Sequence, residues 1–588
     1  MRFLRLSFGL CLALLLSACA VSPAQREAVD RVVQAHPGLV ADQTQARPFA
    51  TRLPAPPDDG HGLIMLARGD DALAMRLELI RSAQRSIELQ NYILLLDDSG
   101  QLLIDELLAA AARGVRVRLL LDSLFSLPDP ELLAALEVAH PNFEVRLYRP
   151  VLERAKLSDA GFIGAIFCCF FELNQRMHNK LMTIDDQHGL VGGRNHSARY
   201  FDLDTRMVFV DLEVLVSGPV AEEMRLGFDA FWADARVRPP RYTRDVHALL
   251  RSGEEPMLAL ARTERIERLL EQFETGDWLE RLLAERRFEV GEVEYFNDLP
   301  SARPDGVRPP DGDSTARIHG VIARAEDQVV MQTPYVVLTR RFERLLRERA
   351  PEVDLVISSN SLASTDAFPV YAVSRQQRAR LLEQLNVRFF EAKPFPQRPE
   401  AFIPRYPELI EERAAGVATP MRGDPGSATR DMPGPRISQH AKLVVVDETI
   451  SIVTSHNLDP RSELYNTENG IVVHDAAFSA ALLEFIGAVT APDSSWLTAM
   501  QSPLAEPFDT VDRSLARVSR RLPIFDLWPR YRFEQFRVPD EETIEIVNTP
   551  EFFEQAEALG LEPEVVARQR RWITAWVSRM MGFIKPIL

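Results

Sequence analysis

The chain has 588 residues, 46% hydrophobic and 26% charged, ordinary globular proportions with length for two or more domain-sized units. With 68 Lys+Arg against 85 Asp+Glu, its net charge is −17. That acidity argues against a nucleic-acid partner, whose capture is driven by clustered cations.

At the N-terminus, Arg2 and Arg5 precede an apolar run that ends in Leu16-Ser17-Ala18-Cys19. The run is shorter than the roughly 20 apolar residues of a membrane span, so residues 1–18 are expected to be a secretory signal. Its removal also takes away two arginines and leaves the remainder more acidic still. Of the four cysteines, Cys11 leaves with the signal, while Cys168 and Cys169 are adjacent. That spacing strains a disulfide, and we expect a fold that does not depend on one. No Cys/His spacing suits a zinc site. The L-S-A-C ending resembles the bacterial lipobox, which implies cleavage before Cys19, lipid on that residue and a membrane anchor. Ala20 in the next position, by resemblance to enterobacterial lipoproteins, implies the outer membrane, facing the periplasm.

Two halves of the chain repeat one order of signals. In the first, the helical pattern DDALAMRLELIRSAQRS leads to the strand IELQNYIL, and QLLIDELLAAAARG leads to VRVRLLLDS. In the second, STARIHGVIARAED leads to QVVMQTPYVV, and LTRRFERLLRERAPE leads to VDLVISSN. This alternation predicts an α/β fold in which each half is a mixed sheet covered by helices. Gln90 and Tyr92 correspond to Gln332 and Tyr335 within one residue of register, as strand ends facing a shared cleft or as plain strand polarity. We expect a linker over 19–60, a first domain over 61–236, a helical segment and Pro/Gly/Asp linker over 237–313, and a second domain over 314–492. A C-terminal helical extension follows over 493–588. The stretch 414–436 is expected to be a surface loop.

The chemistry-bearing residues also come in duplicate. RMHNKLMTID holds His178, Lys180 and Asp185; SQHAKLVVVD holds His440, Lys442 and Asp447 in the same H-x-K-x-x-x-x-D spacing. Asn195 and Asn457 each lie 17 residues after their His. Lysine is scarce, at positions 156, 180, 393, 442 and 585 only. Two motif lysines would arise by chance with probability roughly 0.005 if any cation served, so a compact ammonium is required there. On a strand, residues i and i+2 share a face, so each His projects with its Lys. Two such strands meeting across a pseudo-twofold axis would gather imidazoles, ammonium groups and Asn amides around one phosphodiester. One His attacks phosphorus, the other protonates the leaving alkoxide, and fixed cations make a metal or other cofactor unnecessary. Each His needs a carboxylate on its far nitrogen; Asp211 and Glu468 are the candidates, against the alternative of plain strand-edge carboxylates. Asp185 and Asp447 fall on the opposite strand face and are expected to hold the turn after the strand.

HNKLMTID and HAKLVVVD resemble the paired HKD motifs of the phospholipase D superfamily. The resemblance implies two pseudo-twofold-related α/β/α sandwich domains with mixed sheets and a phosphohistidine intermediate, with His178 as nucleophile and His440 as acid. RMHNK, GLVGGRN, SNSLASTD, NLDPRSELYNTE and GVRVRLLLDS resemble the C-type bacterial cardiolipin synthases across residues 70–490. That implies phospholipid substrates and transfer of a phosphatidyl group to a lipid hydroxyl; hydrolysis to phosphatidic acid is the alternative. A nuclease fits the acidic chain poorly, and a non-catalytic lipid-binding lipoprotein would predict decay of one motif. Asn91-Tyr92-Ile93-Leu94 and Thr454-Ser455-His456-Asn457 depart from the usual aromatic-rich and G-S-F-N stretches, which bears on acceptor preference.

Two apolar segments lie outside the motifs. GFIGAIFCCFF, residues 161–171, is either a buried hairpin or helix or a lip that receives acyl chains. Residues 565–585 place Trp572, Trp576 and Met580 near helical spacing among Arg568, Arg571 and Arg579, a basic amphipathic helix for a membrane surface or for the core.

Overall fold

Runs such as Arg116–Asp122 and Asp354–Asn360, buried from the second residue onward, can be satisfied only as inner strands covered on both faces. The computed structural model describes residues 21–42, 52–55, 57, 59–300, 313–417, 434–500, 533–537 and 557–558, and these runs form the middles of two large mixed sheets. The first contains β1 (His61–Leu66), β2 (Ser86–Asn91), β3 (Arg116–Asp122), β4 (Phe143–Tyr148), β5 (Leu181–Ile184) and β6 (His188–Gly192). It also takes β8 (Glu213–Ser217), β9 (Val237–Arg238) and β10 (Arg287–Val290), while β7 (Met207–Val210) lies apart. The second takes β11 (Val293–Asn297), β12 (Gln328–Gln332), β13 (Asp354–Asn360), β14 (Arg388–Ala392), β16 (Leu443–Val446), β17 (Ile450–Thr454) and β18 (Asn469–His474). β19 (Ser495–Met500), β20 (Phe533–Arg537) and β21 (Glu557–Ala558) extend it, and β15 (Arg436–Gln439) lies apart.

The sheet orders are β10-β1-β8-β6-β5-β2-β3-β4-β9 and β11-β18-β17-β16-β12-β13-β14-β19-β20-β21. From β1 to β9 and from β11 to β19 they run strand for strand. β2, β3 and β4 are parallel, as are β12, β13 and β14, each linked by a helical crossover.

Three hydrophobic layers hold the sheets. The first outer core includes helices Gly69–Ser82 and Asp98–Ala112; the second outer core includes Phe342 and Leu346 of Arg340–Arg349. Between them a shared core takes Leu63, Val214 and Phe228 from the first half and Leu443, Ile471 and Phe478 from the second. The halves are therefore continuous through apolar contact, and separating them would expose it.

Two narrow backbone contacts cross that boundary. β7 pairs in parallel with β15, Val210 opposite Gln439, and Met177 bridges Thr467, again in parallel. At their ends His440 N donates to Val210 O at 2.8 Å and His178 N to Thr467 O at 2.9 Å. The sequence repeat thus becomes a pseudo-twofold junction with a motif His at each contact.

Several expectations are corrected. The segment expected as helix and linker does hold helices Arg244–Arg251, Glu264–Thr275 and Trp278–Arg286, but β9 and β10 join the first sheet as its two outermost strands and β11 the second as an outermost strand, their backbone groups pairing with β4, β1 and β18. Among the described residues, the part of the chain expected as a C-terminal helical extension enters as strands β19, β20 and β21, antiparallel to β14 and to each other. Residues 565–585 and most of the 414–436 loop lie outside the described residues, as does the signal with Cys19. The adjacent Cys168 and Cys169, whose spacing was expected to strain a disulfide, are joined in one.

Asp185 and Asp447 sit at the ends of β5 and β16 with φ of 53° and 49°. Asp185 accepts from Gln84, Arg85 and Ser86 N at 2.8, 2.7 and 2.9 Å; Asp447 accepts from Glu326, Asp327 and Gln328 N at 2.9 Å each. Each carboxylate gathers the amides that open β2 or β12. Burial would raise the Asp447 pKa, but those three amides outweigh it and the net shift is downward. Asp447→Ala should lower the unfolding free energy by about 1–3 kcal/mol in urea melts at neutral pH. A depressed pKa contributes stability above the unfolded value of about 4 and loses it as pH falls, so the deficit should shrink on acidification.

Candidate active site

Each HxK pair lies just upstream of its strand rather than within it, in an extended segment gripped from two directions. From its own half, the residue before the His is held by the end of the second parallel strand. Met177 N donates to Asp122 Oδ2 at 3.1 Å, and Gln439 N to Asn360 Oδ1 at 2.9 Å. From the opposite half come the carbonyls of Thr467 and Val210. Lys180 is pinned further by Asn469, which accepts from its N at 3.0 Å and donates to its O at 3.1 Å. Strand pleat alone would have left these residues in the sheet; the double grip lifts them to its end, where the halves meet.

The residues following those two carbonyls are Glu468 and Asp211, so the crossing contacts deliver a carboxylate to each imidazole. His178 Nδ1 lies 2.8 Å from Glu468 Oε2, and His440 Nδ1 lies 2.6 Å from Asp211 Oδ2. All four side chains are buried. Each pair joins the two halves. Glu468 also accepts from Ser455 Oγ, whereas the equivalent place beside Asp211 is Gly193, where an added Cβ would stand 2.3 Å from Asp211 Oδ1. Only glycine leaves room there.

The lysines fold back on their own motif. Lys180 Nζ donates to His178 O at 2.7 Å; Lys442 Nζ donates to His440 O and lies 3.0 and 3.2 Å from the two ring nitrogens. Tyr92 presents its ring edge-on to His178 at 4.7 Å. Tyr200 does the same for His440 at 4.9 Å, with its Oη 3.3 Å from Nε2. Tyr335 instead donates to Asp366 Oδ1 at 2.7 Å.

Burial dominates the electrostatics. Together with the charges of Lys180, Lys442 and His440 it holds the His178 imidazole well below its usual range. Burial and Lys442 take His440 down to about 4 against the opposing pull of Asp211. Both rings are neutral at pH 7, and with Nδ1–H given to a carboxylate each Nε2 carries the lone pair. Burial also lowers Lys180 to about 7 and Lys442 to about 8, opposed mainly by Glu468 and Asp211 respectively. Burial pushes both carboxylates up; for Asp211 the His440 and Lys442 contacts outweigh it and leave a net lowering, while Glu468 stays raised.

His178, Lys180, His440, Lys442, Asp211 and Glu468 thus converge. Asn195 and Asn457 are buried nearby with neither Oδ1 hydrogen-bonded, and the Asn195 Nδ2 donates to Tyr200 Oη at 2.9 Å, so its amide acts on His440 through the tyrosine. Tyr200, Asn469, Asp122 and Asn360 were not singled out from sequence, and Ser455 was named only within the 454–457 stretch. Asp122 and Asn360 carried one usable signal, since each closes the second parallel strand of its half. Among the described residues, one group of ligand atoms lies close enough to hold a cation: Glu292, Glu294 and His474. Glu294 there already pairs with Arg317 and His474, and none of the three belongs to the HKD pairs.

A family model described as cardiolipin synthase, PLD-like domain, matches residues 77–232 and 318–488. The chain is 32% identical to cardiolipin synthase C of Escherichia coli (strain K12) over 415 residues, 70% of this chain and 81% of that one. It is 23% identical to cardiolipin synthase B of the same strain over 441 residues, 74% and 82% of the two chains. Among solved structures it is similar to phosphatidylserine synthase of Haemophilus influenzae Rd KW20, with a TM-score of 0.48 at 14% identity, covering 84% of this chain and 98% of that. Each matched segment carries one HKD motif, and on that match the chain belongs to the cardiolipin synthase, phospholipase D-like family.

Proposed function

We propose that the protein is a phosphatidyltransferase of cardiolipin synthase type, moving a phosphatidyl group between phospholipids through a phosphohistidine on His178. The observation that carries this is the pair of buried imidazoles, each held by a carboxylate from the opposite half and each backed by a lysine. His440 Nε2 has a hydroxyl partner in Tyr200, which suits it to proton traffic and leaves His178 as the nucleophile.

In the first step the His178 Nε2 lone pair forms the N–P bond as the P–O bond to the leaving headgroup breaks, and that alkoxide takes a proton from His440 Nε2. In the second, an acceptor hydroxyl returns its proton to His440 while its oxygen bonds phosphorus and the P–N bond breaks. A phosphodiester anion beside His440 raises the ring's pKa from its value in the empty site, so substrate itself charges the acid. The same anion favours the ammonium forms of Lys180 and Lys442, which balance charge on the non-bridging oxygens. Asp211 and Glu468 fix each tautomer and stabilise the imidazolium forms. Leu16-Ser17-Ala18-Cys19 supports a lipid anchor at Cys19, and Ala20 after it supports an outer-membrane site facing the periplasm.

Purified protein with phosphatidylglycerol and phosphatidylethanolamine vesicles, read by mass spectrometry, should yield cardiolipin that disappears with His178→Ala. Phosphatidic acid alone would make the protein a hydrolase, and neither product would sink the lipid reading. Asp211→Asn, with its melting checked, should cut kcat by about 10³–10⁴-fold with KM little changed. The protonated lysines are lost as pH rises through their folded pKa values, so kcat/KM for a short-chain soluble diester should fall between about 7 and 8, and the kcat limb should lie higher. A flat kcat/KM to about pH 9 would remove the lysines from that role.

A further inference from the structure

The segment between β4 and the first HxK pair takes no part in the chemistry described. Its centre is the helix Asp159–Cys168, sequence DAGFIGAIFC. So apolar a helix belongs in a core, yet its side chains lie open: Phe162 is 42% exposed, Ile163 58% and Ile166 41%. At i, i+1 and i+4 these three share one face. Among its described side chains, Ala165 alone is buried, in a small cluster with Val151 and Leu173. Phe162, Ile163 and Ile166 therefore present an apolar ridge outward.

Where that helix ends, Cys169 and Glu172 form one wall of a cleft of about 410 Å3. Five arginines, Arg149, Arg154, Arg236, Arg238 and Arg244, line it together with Pro150, Leu152 and Glu153. This is a concentration of cations in a chain of net charge −17. Arg236 is neutralised by Asp234 and Arg238 by Glu153. No carboxylate among the described residues makes an ion pair with Arg149, Arg154 or Arg244. Burial lowers the Arg149 pKa, helped by the neighbouring guanidinium groups of Arg236 and Arg176 and opposed by Tyr148 and Glu172. Forked guanidinium donors are the groups that hold phosphate oxygens.

Both features connect to the HKD site without belonging to it. Arg149 donates to Gln175 Oε1 and accepts from Arg176 Nη1 through its carbonyl at 3.3 Å, and those two residues lead into His178. On the ridge side, Leu124 packs against the Ala165 cluster. Its neighbour Phe125, 38% exposed, meets Tyr92 at 5.2 Å, the ring that touches His178. Helix Pro23–Ala35 is fastened through Asp30 to Arg241 and Tyr242 at 2.6 and 2.8 Å, close in sequence to Arg244. Arg26 bridges Val21 O, at 3.1 Å, and the Tyr242 ring, at 5.1 Å.

We propose that this face docks on an anionic bilayer, with Arg149, Arg154 and Arg244 holding a phospholipid phosphate while Phe162, Ile163 and Ile166 enter the acyl layer. A ten-residue helix is about 15 Å long, so it lies in the interface and does not span it. Docking there sets the Phe125–Tyr92 edge of the HKD site against the lipid. The inference concerns membrane contact and stands whichever diester the site cleaves.

The test uses full-length, unlipidated Cys19→Ser protein in vesicle sedimentation, with phosphatidylcholine alone and with added phosphatidylglycerol. Arg154→Glu with Arg244→Glu should weaken binding to the phosphatidylglycerol vesicles by at least about tenfold. Phe162→Ser, Ile163→Ser and Ile166→Ser together should weaken binding to both vesicle types. Both variants should keep their turnover of a short-chain soluble diester, which reports the HKD site separately. Should the charge reversal fail to fold, Arg154→Gln with Arg244→Gln gives the same reading at smaller amplitude. Unchanged vesicle binding in the arginine and apolar variants overturns the proposal and places membrane contact elsewhere. Displacement of arginine-dependent binding by inorganic phosphate, with no effect of the apolar substitutions, also overturns it and leaves a site for free phosphate.

Discussion

The structure depends on two short parallel contacts that cross between its halves, Met177 with Thr467 and β7 with β15. A backbone hydrogen bond from each motif His ends each contact, and the next residue on the other strand is the carboxylate that His requires. Neither half holds a complete site, because His178 takes its carboxylate from the second half and His440 from the first. The shared apolar core supplies the driving force that keeps these contacts made. Six ionisable side chains are thereby withdrawn from water at one point, and the medium answers by pulling the lysines down to about 7 and 8 and leaving the histidines neutral. An arrangement of this kind is costly when empty and is relieved by an anion, which is the state its chemistry uses.

Duplication produces two imidazoles, but the copies differ in what surrounds each. Gly193 leaves space for Asp211 where Ser455 donates to Glu468. Tyr200 sits on His440, while the equivalent place in the second half is Ser462, which accepts from Asn457 N. Asp122 and Asn360 occupy one structural position, yet Asp122 also binds the buried Arg176 guanidinium. Each of these substitutions is small. Together they give His178 an unencumbered Nε2 and His440 a hydroxyl relay to Asn195.

Much of the site was legible because catalysis demands residue types that the rest of the chain avoids. Lys180 and Lys442 stood out against 63 arginines, and Asn195 and Asn457 kept the same spacing to their His. The helix-strand order was legible from apolar periodicity, since β2, β3, β12 and β13 are buried on both faces. Tyr200, Ser455 and Asn469 were not legible, because a tyrosine, a serine and an asparagine in polar stretches are common on any surface. The Asp159–Cys168 helix was half legible. Its composition announced apolar surface, but whether that surface was covered depended on neighbours far away in sequence.

By itself the sequence determined the duplication, the chemical identity of the HKD groups and the mixed α/β class, because periodicity, spacing and residue scarcity are properties of a linear chain. It also marked Asp185 and Asp447 as turn residues through their odd distance from the lysines. Only the tertiary structure decided which carboxylate serves which histidine, since Asp211 and Glu468 reach their partners across hundreds of residues by strand pairing between halves. It alone decided that the His and Lys stand at the ends of strands, that the C-terminal segment adds strands to the second sheet, and that five arginines meet beside an uncovered helix. Pairing and burial are set by which surfaces meet, and no local pattern records that.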